Sequence, residues 1–445
     1  MVGRPAHTSA PSGPPLPWYA RVFGEALSER SFALLWFALL GMGVSLQMLE
    51  VIIGWQVYAV HRSSLDLGWI GLAEFIPMFL LALPAGHLAD RYPRRLVFLF
   101  ALLLQTVVAG GLVAVSLAHV TLLWPFLALA LAAGVTMAIG SPASRAMPPT
   151  LVPLELLPSA MTLRSISTQG AQVIGPALGG LLYGLFGPAI VYVVAAGATV
   201  LAAGCVLAMR NVPAQTQTQT PEPAGGRDLA SVMGGIHFIR QTPILFGAIL
   251  LDLLAVLFGG AVALLPVFAR TVLHVGAFGL GVLRSAPAVG AVLSGALLTR
   301  RPLGGRAGRT LLIAVATFGA SMVVFGLSRS FVISLIALGV SGFADLYSMN
   351  IRSTATALVT PDPLRGRVMA VEMVFISASN QLGAFESGLA AFLIGAVPAV
   401  LVGGSLTVLI ATTWKWLFPA LANVDRLDQV RPAPVERTTA EPALI

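Results

Sequence analysis

Charge is what this chain has least of. Only 10% of its 445 residues are Asp, Glu, Lys or Arg, against 57% hydrophobic, whereas an average soluble domain is about a quarter charged. Water is therefore not its main solvent. Cysteine is nearly absent: the one thiol, Cys205, lies inside an apolar run, so no disulfide within the chain can form and the redox compartment cannot be read. There is no phosphate-cradling G-x-x-x-x-G-K-[ST] loop, which argues against ATP as an energy source. The apolar runs hold no His-rich or acidic metal cluster, and no soluble stretch is long enough for a catalytic or signalling domain. The net charge of +8 does not indicate a nucleic-acid partner, because the arginines punctuate apolar runs instead of clustering on a soluble face. Met1 to Pro17 lacks the short apolar core of a secretory signal and reads as a cytosolic tail.

Long apolar runs are what the chain does have, and its mean hydropathy is +0.89. A membrane-spanning helix needs roughly 20 apolar residues. Runs bounded by Arg, Pro and Gly place spans near 32–59, 67–88, 96–117, 121–143, 164–186 and 188–209, then 243–270, 278–299, 310–328, 331–352, 368–392 and 396–418. The fold class expected is all-α and integral to the membrane: about twelve spans in two six-helix bundles. Domain bounds follow as an N-terminal tail (1–30), a first bundle (31–209), a linker (210–240), a second bundle (241–418) and a C-terminal tail (419–445).

Cations set the expected orientation, since Lys and Arg in short loops stay cytosolic. Arg91, Arg94, Arg95, Arg145, Arg210, Arg240, Arg300, Arg309 and Arg365 fall on alternate loops, with Arg62, Arg270 and Arg329 opposite. Both termini are thus expected in the cytosol of a bacterial cell, with the chain multi-pass in its inner membrane. The two halves also align with each other at an offset of about 210 residues, as parallel repeats do. Gly71, Glu74 and Pro77 match Gly281, Arg284 and Pro287, and Met161, Gly175 and Gly180 match Met369, Gly383 and Gly388.

Between spans two and three lies Gly86-His87-Leu88-Ala89-Asp90-Arg91-Tyr92-Pro93-Arg94-Arg95. An acid there can cap a neighbouring helix N-terminus and hold one conformation shut; an ordinary cation-rich loop is the alternative. The pattern resembles the loop signature of the major facilitator superfamily, with Pro93 where Gly is frequent, and the resemblance gives Gly86, Asp90, Arg91, Arg94 and Arg95 a conformational role. In span five, Gly170, Gly175, Pro176, Gly179 and Gly180 resemble the G-P-x-x-G-G element of superfamily antiporters. Its glycines permit close helix approach and its proline a bend, so coupling and plain packing are both open readings.

Three further stretches are similar to the enterobactin-exporter branch of that superfamily: Gly54-Trp55-Gln56-Val57-Tyr58, Leu264-Leu265-Pro266-Val267-Phe268-Ala269 and Leu364-Arg365-Gly366-Arg367-Val368. Together the resemblances cover Ser31 to Phe418. They imply secondary, proton-coupled efflux of a siderophore, drug or other amphiphilic small molecule by alternating access, in a monomer without cofactor or metal. An importer or lipid-handling carrier of the same fold is the alternative, and a membrane-embedded sensor or enzyme a more distant one.

An ionisable group within a span costs several kcal/mol unless it meets protein or water, so each is a functional candidate. They are Glu50 in span one, Glu74 in two, Asp252 in seven, Arg284 in eight, Asp345 in ten, and Glu372 and Glu386 in eleven. The resemblance implies that spans one, four, seven and ten line the central cavity, which puts Asp252, Glu50 and Asp345 first for proton coupling and Glu386 next. Each has a packing alternative. Gln47, Trp55, Asn380 and Gln381 join Glu50, Asp252 and Asp345 as cavity candidates. Glu74 and Arg284, opposite in sign at matching repeat positions, are gate candidates or, alternatively, charges near the outer interface where hydration and snorkelling lower their cost, whereas Glu372 reads as a helix-start charge. Trp36, Trp55, Trp69, Trp124, Trp414 and Trp416 read as interfacial anchors.

Overall fold

In hydrocarbon a backbone must satisfy its own N–H and C=O groups, so a chain this apolar has little choice but helix. The computed structural model describes residues 25–209, 229–300 and 305–425, and among these there is no strand. Most of the two tails and of the linker therefore lies outside the described residues, apart from short helical pieces at Glu25–Ser28, Leu229–Gln241 and Pro419–Ala422.

Ten helices among the described residues are long and apolar enough to cross a bilayer. The two remaining segments expected to span are helical as well. Span two is divided into Ser64–Leu80 and Ala82–Arg91, the break falling just before Pro84, which has no N–H to donate to the carbonyl of Leu80 four residues earlier. Span five, Leu157–Phe186, has the length but carries Arg164, Ser165, Thr168, Gln169 and Gln172. Three helices overrun the apolar runs that announced them: span five starts at Leu157 instead of near 164, span ten ends at Val359 instead of 352, and span eleven starts at Asp362 instead of 368. Hydropathy falls where a helix turns a polar face to protein or water, yet the hydrogen-bonded backbone continues. Span seven runs as a helix over Pro243–Gly259 and then passes through a tight turn at Ala261–Leu264 and a π-helical turn at Phe268–Val272.

Within the first half, span one (Arg30–His61) packs on spans five and six (Pro188–Ala208), and span three (Arg94–Leu117) on six and on four (Leu123–Ala146). In the second half, spans eight (Gly276–Arg300) and nine (Ala307–Leu327) pack on span ten (Phe331–Val359), and nine on twelve (Ala396–Leu417). The halves meet where span five lies on eight and span two on eleven (Asp362–Ile394).

The apolar core shows that this meeting is lopsided. At one end a single core runs through both halves, from Met48, Ile52 and Leu112 to Leu264, Phe268, Leu280 and Phe325. At the other end, where span one begins, the core is split. Leu35, Phe98 and Val206 belong to the first half alone, Leu251, Leu311 and Trp414 to the second alone. Backbones touch at the shared end: a methyl group at Gly281 would collide with the Pro176 carbonyl, and one at Gly388 would lie 2.8 Å from the Ser64 carbonyl. Small residues permit this approach, which lipid alone does not drive. The halves thus form a wedge, sealed at one end and parted at the end where span one starts.

The loop after span two fastens the parted end of the first half. Arg94 Nη1 donates to the Ala146 carbonyl at 2.9 Å, and Arg95 donates to the Val206 and Leu207 carbonyls at 2.9 and 2.8 Å. Those carbonyls end spans four and six, so the two arginines cap helix C-termini, where orphan acceptors and the dipole favour a cation. The side chain of Asp90, the expected N-terminal cap, lies outside the described residues; its backbone lies in the last turn of the helix Ala82–Arg91. Arg95→Ala is expected to destabilise the chain by about 2 kcal/mol, the order of a charge-assisted hydrogen bond. A lower thermal unfolding midpoint of the purified protein checks this, with Arg91→Ala, whose side chain is exposed, as the milder comparison.

Candidate transport cleft and its ion-pair clusters

A polar side chain on a membrane helix cannot face hydrocarbon cheaply, so exposed polar residues at helical spacing mark water. Span five exposes Met161, Ser165, Thr168 and Gln172 on one face, and span eleven exposes Met369, Met373 and Asn380. Span four adds Met137, Ser141 and Arg145, and span ten Asp345, Met349 and Ser353, at steps of four residues. Of these, Ser141 is half-buried and the others exposed. Arg145 Nη1 lies 3.5 Å from Met373 Sδ of the other half. The faces therefore belong to one cleft between the halves, lined by methionine and short polar groups.

Charge is distributed unevenly around this cleft. Arg145 and Arg164, close enough to repel each other, stand on the first-half side, and among the described residues neither has a carboxylate partner. On the second-half side, Arg352 pairs with Asp252 of span seven and donates from Nε to Glu372 Oε1 of span eleven at 3.1 Å. All three are nearly inaccessible, with 4%, 13% and 10% of their side-chain surfaces exposed. Asp345, two helical turns from Arg352, feels the charges of both Asp252 and Arg352 and opens to the cleft. At about 1.5 Å per residue, Asp252, Arg352 and Glu372 lie at a similar depth, some 11–15 Å from the parted end of their helices.

A second cluster bridges the halves. Arg284 of span eight pairs with Glu50 of span one, and the charges of both act on Glu74 of span two. Glu50 is 44% exposed at the side chain and Arg284 18%. This pair sits towards the sealed end, so the two clusters occupy opposite depths.

The remaining candidates have more local surroundings. Gln47 packs its Cβ over Gly175, and Gly179 lies on Met48, so the span-five element is the surface on which span one rests. Gly180 faces Ala277 and Gly281 across the seam. Asn380 donates to its own helix at the Ile376 carbonyl (2.9 Å), Gln381 lies beside Gly71, and Glu386 is 3.5 Å from Ser387 Oγ. Gly86 is buried at the end of span two. Trp55 is 8% exposed and Trp414 3% exposed, and Trp414 donates to the Gly247 carbonyl at 3.1 Å. Trp36 donates to the Leu163 carbonyl of span five at 2.8 Å. These three indoles bind helices together, while Trp69, Trp124 and Trp416 are exposed as an interfacial belt requires. Glu372 differs from expectation: span eleven starts at Asp362, so it lies well inside the helix and pairs across to span ten.

Sequence reasoning overlooked Arg352 and Arg164 and assigned Arg145 to a loop, because each stood at an expected span end where arginine is ordinary. The signal for Arg164 was its place on a helical face with Ser165, Thr168 and Gln172.

Removing one member of a buried ion cluster strands the others. Arg352→Ala is expected to cost about 3–5 kcal/mol and to lower folded yield sharply. Combining Arg352→Met with Asp252→Asn and Glu372→Gln should restore most of it, as size-exclusion profile and thermal midpoint would show.

Comparison with known proteins fits this architecture. The family described as "Transmembrane secretion effector" matches residues 25–442. The enterobactin exporter EntS of Citrobacter koseri is 29% identical over 334 residues, 73% of this chain and 76% of that protein. The EntS of Escherichia coli O81 is 28% identical over 329 residues, again 73% and 76%. Among solved structures, a bacterial homolog of the human lysosomal transporter Spinster, in an inward-facing and unoccupied conformation, superposes with a TM-score of 0.71 at 14% identity, covering 91% of this chain and 98% of that one. A D-xylose–proton symporter gives 0.63 at 14%, covering 87% and 97%. These two likenesses bear on fold alone. The helices, the paired halves and the family match together make this chain a multi-pass membrane transporter belonging to the transmembrane secretion effector family of the major facilitator superfamily.

Proposed function

We propose that the protein exports an anionic amphiphile from a bacterial cell in exchange for protons, by alternating exposure of the cleft between two six-helix bundles, residues 31–209 and 241–418. The observation that carries this reading is the grouping of three carboxylates, Asp252, Asp345 and Glu372, around one guanidinium, Arg352, which pairs with Asp252 and Glu372. Such a group has room for a proton while its ion pairs stay closed. Asp345 is the carboxylate that opens to the cleft and makes no ion pair among the described residues, which suits it to exchange that proton with water. Opposite it, Arg145 and Arg164 offer an anion two cations without a carboxylate partner among the described residues, and the flexible thioethers of Met137, Met161, Met349, Met369 and Met373 adapt to an apolar body of variable shape.

With both termini cytosolic, as the cations suggest, the parted end faces the cytosol and the sealed end the outside. Cytosolic substrate then enters between the arginine and methionine faces, and the halves rock about the bound molecule. Opening the sealed end parts Glu50 from Arg284 and lifts span five from span eight at the Gly175–Gly180 element. Protons taken up from outside at Asp345 reset the empty carrier. The relatives' names, enterobactin exporters, support outward transport, and a siderophore with acidic groups on an apolar frame meets the chemistry of the cleft.

Proteoliposomes with a trapped pH-sensitive dye test the reading, with siderophores and amphiphilic anions as substrates. Addition of a transported substrate to wild type should move protons oppositely. Asp345→Asn should keep substrate counterflow while proton movement falls about tenfold or more, as loss of a positioned proton carrier does. Proton movement in neither would refute coupling, and equal movement in both would remove Asp345 from it. A second outcome concerns the gate. Glu50→Gln should raise thiol labelling of Ala59→Cys, in a Cys205→Ala background, about two- to fivefold, the shift for a partly exposed pair worth about 0.5–1 kcal/mol.

A further inference from the structure

At the sealed end the two halves leave an open pocket between them. Trp55 closes span one and Tyr183 closes span five in the first half, their rings edge to face with centroids 6.3 Å apart. The second half brings Arg270, whose guanidinium carbon lies 5.7 Å from the centre of the Trp55 ring. These three side chains, with Ala59, His274 and Gly276, line an open pocket of about 530 Å³ at the surface.

Three features make this cavity more than a surface hollow. Arg270 is half-buried, yet among the described residues no carboxylate pairs with it. Its neighbour across the cavity is a ring face, which leaves the planar fork of donors available for a ligand. The backbone that presents it leaves regular geometry repeatedly. A π-helical turn spans Phe268–Val272, and His274 and Gly276 take left-handed φ of 54° and 66°. A non-glycine residue held so is strained, and π-helical turns concentrate at working sites. Finally, Gly276 begins span eight, so the positive end of a helix dipole borders the same space.

The geometry points to a binding site for an aromatic anion, a ring bearing a carboxylate or phenolate, that exists only while the halves are closed at this end. The anionic group would sit between Arg270, His274 and the start of span eight, and its ring would lie against Trp55 and Tyr183. Because the aromatic wall belongs to one half and the cationic wall to the other, a ligand here binds the sealed state and not the state with this end open. By linkage it then holds the carrier sealed. An exported aromatic anion that accumulates on this side would brake its own transport. The inference needs neither proton coupling nor a particular substrate in the central cleft.

The purified full-length protein can be titrated with salicylate, with cyclohexanecarboxylate, which keeps the charge without the aromatic ring, and with benzyl alcohol, which keeps the ring without the charge. Salicylate is expected to raise the thermal midpoint of wild type in a saturable way and to protect Ala59→Cys from labelling, while the two controls do so at least about tenfold more weakly. Arg270→Gln should weaken salicylate about tenfold or more, and Arg270→Lys, which keeps the charge but not the stacking fork, by less. Their midpoints without ligand report whether each variant is folded. Loss of salicylate binding in Arg145→Gln with full retention in Arg270→Gln would place the ligand in the cleft and overturn the inference, as would the absence of salicylate binding to wild type.

Discussion

Hydrocarbon tolerates neither an unpaired backbone amide nor an unpaired charge, and each level of this structure follows from that intolerance. It makes the described spans helical, and it also forces the helices apart. Span five cannot turn Arg164, Ser165, Thr168 and Gln172 towards lipid, and span eleven cannot so turn Asn380. A fold that keeps these faces wet needs water between its halves, and a wedge parted at one end supplies it. Where the same two helices carry glycine instead, at Gly180 and Gly388, they close on their partners backbone to backbone. Polar residues towards one end and small residues towards the other are enough to specify a molecule open on one side.

Duplication gives the two halves equivalent positions, and divergence gives those positions different chemistry. At a common offset of 208 residues, Met137 answers to Asp345, Ser141 to Met349, Arg145 to Ser353 and Met161 to Met369. All of them face the cleft, so the geometry of the repeat survives intact. Charge does not: cations collect on the first-half wall and carboxylates on the second. A field therefore crosses the cleft, and under the function proposed above it would orient a ligand with one anionic end. Symmetric scaffolds with asymmetric walls suit a carrier, because the rocking motion needs the symmetry and the binding needs its absence.

Much of this was legible in the sequence, and what was not has physical reasons. Apolar runs locate helices well where all faces are apolar, as in span twelve, expected over 396–418 and observed as Ala396–Leu417. They fail where one face is polar, so the helix beyond residues 164 and 352 was read as loop and Arg164 and Arg352 passed for ordinary span-end cations. Pairing lies beyond a linear reading altogether. Glu50 and Arg284 are 234 residues apart, and nothing local to either names its partner. The Gly54–Tyr58 and Leu264–Ala269 stretches could be recognised by resemblance alone; the structure adds that Gly54 lies against Pro266, so the two motifs are opposite faces of one seam. The loop arginines were recognised, too, but Arg94 and Arg95 act as C-terminal caps, a function that depends on which helices happen to end beside them.

The two ion clusters differ in a way that assigns them different duties. Asp252, Arg352 and Glu372 lie within one half and are nearly sealed from solvent. Breaking such a group without replacing its partners costs several kcal/mol, more than a carrier that cycles at ambient temperature can spend at each turn, so the cluster is built to travel intact with its bundle. Glu50 and Arg284 lie in different halves and are partly hydrated. A pair of that kind is worth about 1 kcal/mol or less, comparable to the imbalance a two-state carrier needs between its ends, and water is at hand to receive both charges when they separate. Rigid charge inside a bundle and yielding charge between bundles are thus complementary requirements of the same motion. Exchanging their exposures would leave a protein that either locks at the sealed end or loses the frame beside Asp345.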